Sequence, residues 1–169
     1  NIFELSEVLE LQAAAVVARK PEKDLRGLIG LADDIARAVK TEDIKLYIEA
    51  DRSFHRQLTA AAENDRLTEM VMGLRDQMRL YGIRSGAGLE RQRESIAEHY
   101  KIIELATAGD GEALQNLLKR HIRTWEPIFV DALTRTLTPR EPIVANRSTP
   151  RRKPVKVSPF PKKKSSSSM

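Results

Sequence analysis

Apolar residues recur along this chain at intervals of three and four, the period of one helix face. Six helical segments follow from that pattern and from the residues able to cap it. The first spans about Ile2 to Arg19 and is apolar on nearly all sides, through Ile2, Phe3, Leu5, Val8, Leu9 and Leu11, then Ala13 to Ala18. Such a helix is central to a core or lies at an interface. Pro21 suits a first-turn position and opens a second helix to about Lys40. Thr41 can cap a third, running to about Ala62, and Asn64 a fourth, whose inward residues read Leu67, Val71, Leu74, Met78 and Tyr81. A loop with Gly86 and Gly88 precedes a fifth helix over about Leu89 to Ala108. Gly109 fits its left-handed C-terminal position, and Asp110 caps a sixth helix ending near Leu137. Sustained strand alternation is missing, so the expected fold is all-α, an antiparallel bundle of about six helices.

The chain has three histidines, and each lies on an apolar stripe. His55 shares a face with Ile48, Leu58 and Asp51, the last at i−4. His99 runs with Ile96, Ile102, Ile103 and Ala106, and His121 with Leu114, Leu117, Leu118, Trp125 and Ile128. One buried histidine is satisfied by a bond to a neighbour. Three imidazoles and a carboxylate facing one interior need more, because desolvating them unpaired is costly. One divalent ion per chain, held by Asp51, His55, His99 and His121, would satisfy all four. The donor set suits zinc, nickel or manganese and does not by itself decide among them; zinc is the leading expectation.

Charge divides the chain in two. Residues 139–169 carry nine Lys/Arg, one acidic residue and six of the eight prolines. The whole chain is +5 and that tail is +8, so residues 1–138 are about −3. The tail is expected to be disordered, since it cannot bury enough apolar surface to offset its ordering entropy. It is either a solvated extension or an arm for DNA phosphates. Residues 1–138 are expected to form one domain. With no cysteines, disulfides, thiolate metal sites and cysteine nucleophiles are excluded, which fits a cytoplasmic protein. No apolar run is long enough for a membrane span. The start at Asn1 lacks a Met and a signal peptide, as expected for a fragment of a longer chain.

Several runs, taken in order, resemble a known family. They are Asp51-Arg-Ser-Phe-His55-Arg-Gln-Leu58, Glu63-Asn64-Asp65-Arg66-Leu67, Glu98-His99-Tyr-Lys-Ile-Ile103, Ala108-Gly109-Asp110 and His121, after an opening Phe3-Glu4-Leu5. Over about residues 1–135 the chain is similar to the FadR-type C-terminal effector-binding (FCD) domain of GntR-family transcriptional regulators. The resemblance implies an all-helical bundle with a metal on Asp51, His55, His99 and His121, and a small organic acid as effector beside it. It also implies a homodimer and a winged helix-turn-helix that binds DNA, expected upstream of Asn1. Relatives sense lactate, other hydroxy acids, sugar acids and longer acyl compounds; a hydroxycarboxylate such as lactate is the leading expectation.

One position departs from the family. Ser6 stands where relatives often carry an arginine able to clamp an effector carboxylate. Arg84, one turn past Tyr81 on the expected fourth helix, is the substitute read from the sequence, and Tyr81 and Arg84 are the expected effector contacts. Two other functions compete. A metal-dependent hydrolase needs a general base, and none is evident, since Glu98 adjoins His99 and should point about 100° away from it. A structural helical module with a DNA-binding tail needs no site at all.

Overall fold

The computed structural model describes residues 1–138. The basic 139–169 segment and its expected disorder lie outside the described residues. Seven α-helices are present among the described residues: α1 Ile2–Arg19, α2 Leu28–Lys40, α3 Ile44–Ala60, α4 Asp65–Met78, α5 Gly86–Ala108, α6 Gly111–Arg123 and α7 Glu126–Leu137. There is no strand among the described residues. Helix α1 packs against α6 and α4 and touches α3 and α5, α2 packs against α3 and α5, and the pairs α3·α4 and α5·α6 also pack. The neighbours α2·α3, α3·α4 and α5·α6 are joined by turns of a few residues, which forces each pair to run antiparallel.

The seventh helix comes from a break in the expected sixth. Pro127 lies in the first turn of α7. It offers no N–H and clashes with a carbonyl one turn back, so the chain must restart at Trp125. The second helix starts later than its proline suggested. Lys20 takes an extended conformation (φ −72°, ψ 128°), as the residue before a proline prefers. The segment after it turns back, and Lys23 Nζ donates to the Val17 and Ala18 carbonyls at 3.2 Å each, satisfying the open end of α1. Asp43 rather than Thr41 caps α3, accepting from the Leu46 amide at 3.0 Å, while the Thr41 hydroxyl donates to Arg37 O. Gly109 ends α5 at φ +74°, as expected.

Two inward faces differ from their patterns. Helix α4 buries Thr68, Val71, Met72 and Arg75, a stripe turned by about one residue. Helix α1 buries Phe3, Ser6, Glu10, Ala13 and Val17 and leaves Leu5 and Val8 58% and 66% exposed. One interaction explains both. The Glu10 carboxylate accepts from Arg75 Nε and Nη2 at 3.0 and 2.7 Å and from Ser6 Oγ at 2.7 Å. A buried charge needs a partner with matching geometry, and α1 and α4 are rotated so that these two meet. No described helix is long and apolar enough to cross a membrane.

Candidate metal centre and adjoining cavity

Helix α3 contributes Asp51 and His55 from adjacent turns, α5 contributes His99, and α6 contributes His121. All four are buried, and one ligand atom from each lies within 4.8 Å of all the others. His99 Nε2 is 3.1 Å and His55 Nε2 3.6 Å from Asp51 Oδ1, and His121 Nε2 is 3.3 Å from His55 Nε2. Phe54 seats the His99 ring edge-on, with centroids 4.7 Å apart.

The outer nitrogens fix what the inner ones can do. His99 Nδ1 is 2.7 Å from the Ser95 carbonyl, which can only accept, so Nδ1 carries the proton. His121 Nδ1 donates to Glu98 Oε2 at 2.7 Å. In its neutral form each ring therefore turns a bare Nε2 lone pair toward the centre. His55 Nδ1 is buried without a hydrogen-bond partner, 3.8 Å from Glu10 Oε2. Lone pairs of His99, His121 and Asp51 thus converge on one another with too few protons to satisfy them. The residues fit a cation in that space, and the carboxylate and carbonyl behind the histidines are the outer partners that metal-binding imidazoles usually have.

Charged neighbours tune the same groups. Burial alone would raise the Asp51 carboxyl, but the Arg79 guanidinium bonded to its Oδ2, together with the adjacent imidazoles, holds it well below the usual range. Burial likewise works against ionised Glu98, yet its bonds from His121 and Arg91 bring it down to about 2. For His121, burial outweighs the Glu98 bond and lowers the imidazole to about 4; burial and the Arg75 charge put His55 well below its ordinary value. In metal-free protein both rings stay neutral on folding, whereas the unfolded chain takes up protons near pH 6.5. The unfolded state then binds more protons between about pH 6.5 and 4, so stability falls as pH drops through that window. The expected loss from His121 alone is about 3 kcal/mol, measurable by urea unfolding of metal-free protein from pH 7 to 4. A flat profile would show that these rings titrate alike in the folded and unfolded chain.

A cavity adjoins the cluster. It encloses about 40 Å³ within about 460 Å³ of free space open to solvent. Its polar lining is Tyr47, Asp51, Arg75, Arg79 and His121. Tyr81 and Trp125 line it, but Arg84 does not: it is exposed. The relation of one turn between Tyr81 and Arg84 fails because α4 already ends at Met78. Arg75 and Arg79 occupy the position that the sequence reading gave to Arg84. Glu98 does point away from the cluster, as the helical angle required, but it meets His121 from behind. The sequence reading overlooked that role, since it depends on α6 lying on that side of α5.

The fold is a helical bundle with four buried donor groups beside a cavity. The FCD domain model matches residues 1–124. The chain belongs to that family: it is an FCD domain of the kind carried by GntR-family transcriptional regulators, a regulator domain rather than an enzyme. Among solved structures it is similar to E. coli McbR/YncC, with 22% identity and a TM-score of 0.68 over 77% of this chain and 63% of that one. It is also similar to Lar, which controls expression of the agr system of Listeria monocytogenes and mediates virulence, with 23% identity and a TM-score of 0.65 over 79% and 62% of the two chains. A third is the metal-free FCD domain of TM0439, with 19% identity and a TM-score of 0.60 over 79% of this chain and 92% of that domain. At these identities the likeness is one of fold. The chain spans less than two thirds of the first two proteins. No curated protein matches it.

Proposed function

We propose that this domain senses a small organic acid through a divalent ion held by Asp51, His55, His99 and His121. Zinc is the leading candidate, with nickel and manganese as alternatives. The observation that carries the reading is the convergence of four buried donor atoms within 4.8 Å beside an open cavity. When bound, the ion supplies a Lewis-acidic positive centre for an effector carboxylate or hydroxyl.

Charge supports an acid. Glu10, Asp51 and Glu98 face Arg75, Arg79 and Arg91 in ion pairs around the cluster. Three carboxylates against three guanidiniums leave the site near neutrality, so a divalent ion adds an uncompensated charge that an anionic ligand offsets. With Ser6 bonded to Glu10, Arg75 and Arg79 are the cavity's guanidiniums, and Tyr81 is a wall contact. A hydroxycarboxylate such as lactate, which could offer two oxygens, is the simplest candidate head group.

The whole regulator is proposed to be a cytoplasmic homodimer whose upstream winged helix-turn-helix binds DNA. Exposed Leu5 and Val8 on α1 and Met70 on α4 support self-association through those helices. An acid favouring one packing of the bundle would shift the spacing of the DNA-reading domains; a tenfold preference corresponds to about 1.4 kcal/mol. The test uses Trp125, the chain's only tryptophan, which lines the cavity. Its fluorescence, titrated with hydroxy acids, should report binding that is lost on chelation or in His121→Ala while circular dichroism stays helical. Equal affinity in metal-free, folded protein would reduce the metal to a structural part.

A further inference from the structure

Aromatic residues are concentrated at the cavity. Of four Phe, three Tyr and one Trp in the chain, Phe3, Tyr47, Tyr81 and Trp125 line it. Phe129 packs edge-on against Phe3 and Tyr81, with centroids 5.5 and 5.4 Å apart. Edge-on packing of this kind holds rings in fixed orientations. The cavity that the four lining rings share keeps about 40 Å³ of free volume.

The cavity's chemistry has two parts. Its charged groups form one cluster, because Arg75 and Arg79 both reach Asp51 Oδ2 and Asp51 is grouped with His121. The remaining wall is apolar: Phe3, Met78, Tyr81, Ile83, Ile122 and Trp125. A short polar acid would leave that wall facing water. Part of the lining also lies beyond the residues that the family model matches, since that match ends at residue 124 and Trp125 follows it. Gly82 fixes this part in place. Its φ of +81° suits glycine, and a Cβ there would sit 2.8 Å from the Ile128 carbonyl of α7.

We infer that the effector is a carboxylate with a flat apolar body, an aryl-substituted acid. Its carboxylate lies toward Asp51, Arg75 and Arg79, and its ring lies between Phe3, Tyr81 and Trp125. The inference rests on the proposed reading of this cavity as the effector site. It is compatible with a hydroxyl beside the carboxylate, since an aryl hydroxy acid joins the expected head group to the body that the wall requires.

Mandelate and lactate test it, because they share a head group and differ by phenyl against methyl. Calorimetry on the zinc-loaded full chain should show mandelate binding at least tenfold tighter, about 1.4 kcal/mol. Tyr81→Ser and Phe129→Ala change half-buried rings; each should shrink that preference severalfold, and Phe129→Ala, which alters a ring behind Phe3 and Tyr81, should leave lactate affinity unchanged, with circular dichroism confirming the fold. Lactate binding as tightly as mandelate would overturn the aromatic assignment and leave the acid-sensing reading standing. A mandelate preference untouched by both variants would also overturn it. Binding of neither acid would overturn both. Equal mandelate binding with and without zinc would support the aromatic wall and count against the metal's part in sensing.

Discussion

Removing divalent metal from this chain should lower its melting temperature by roughly 10 °C or more. Four buried donors converge within 4.8 Å, and His99 and His121 turn unprotonated nitrogens toward that centre because their other nitrogens donate to Ser95 and Glu98. Without a cation, these lone pairs face one another among buried side chains. An ion that binds only the folded state adds about 4 kcal/mol when free metal exceeds its dissociation constant a thousandfold. For a domain of this size each kcal/mol moves the midpoint by roughly 2–4 °C or slightly more. Calorimetric scans of chelated protein, with zinc, nickel or manganese returned one at a time, measure the effect and rank the ions. His121→Ala and Asp51→Asn should abolish the response to added metal. Identical melting of chelated and metal-loaded wild-type protein would rule out an ion at this site.

That cluster was legible in the sequence because every member obeys a local rule. Asp51 and His55 are one turn apart, and each histidine lies on an apolar stripe whose burial follows from helical period alone. Helices starting at a side-chain cap were legible too, as with Asn64 and Asp110. The elements that shifted are those decided by distant contacts. The segment after Lys20 looked helical by itself, and its turn toward the carbonyls of α1 is a tertiary bond. The inward face of α4 looked like Leu67, Leu74 and Met78 until Arg75 found its partner on α1. Glu10 did leave a trace, since it shares the i, i+3, i+7 row of Phe3, Ser6, Ala13 and Val17. A carboxylate on the buried row of an apolar helix asks for a cation, but nothing local says which arginine supplies it. The same holds for Arg79 and Arg84, which differ only in where α4 stops.

The Glu10–Arg75 pair is expected to have the other large effect, with opposite outcomes for single and double replacement. Both side chains are buried, at 2% and 6% exposure. They make two parallel bonds of 3.0 and 2.7 Å, and Ser6 donates a third to Glu10. Glu10→Gln or Arg75→Met leaves the partner charge buried without its mate, and loss of one member of such a pair costs roughly 3–5 kcal/mol. Removing both charges with Glu10→Gln and Arg75→Met removes the desolvation penalty along with the attraction. The double variant should therefore recover much of the loss, since it leaves no unpaired buried charge. Urea unfolding of the two singles and the double closes the cycle. Additive losses would mean that the charges do not act on each other. The cycle also separates stability from sensing: Glu10 lies 3.8 Å from His55 Nδ1 and Arg75 lines the cavity. The double variant should fold normally yet bind both metal and acid more weakly, because the carboxylate beside His55 Nδ1 becomes a neutral amide and the cavity loses one of its guanidiniums. Unchanged metal and acid affinity in that folded variant would confine the pair to holding α1 against α4.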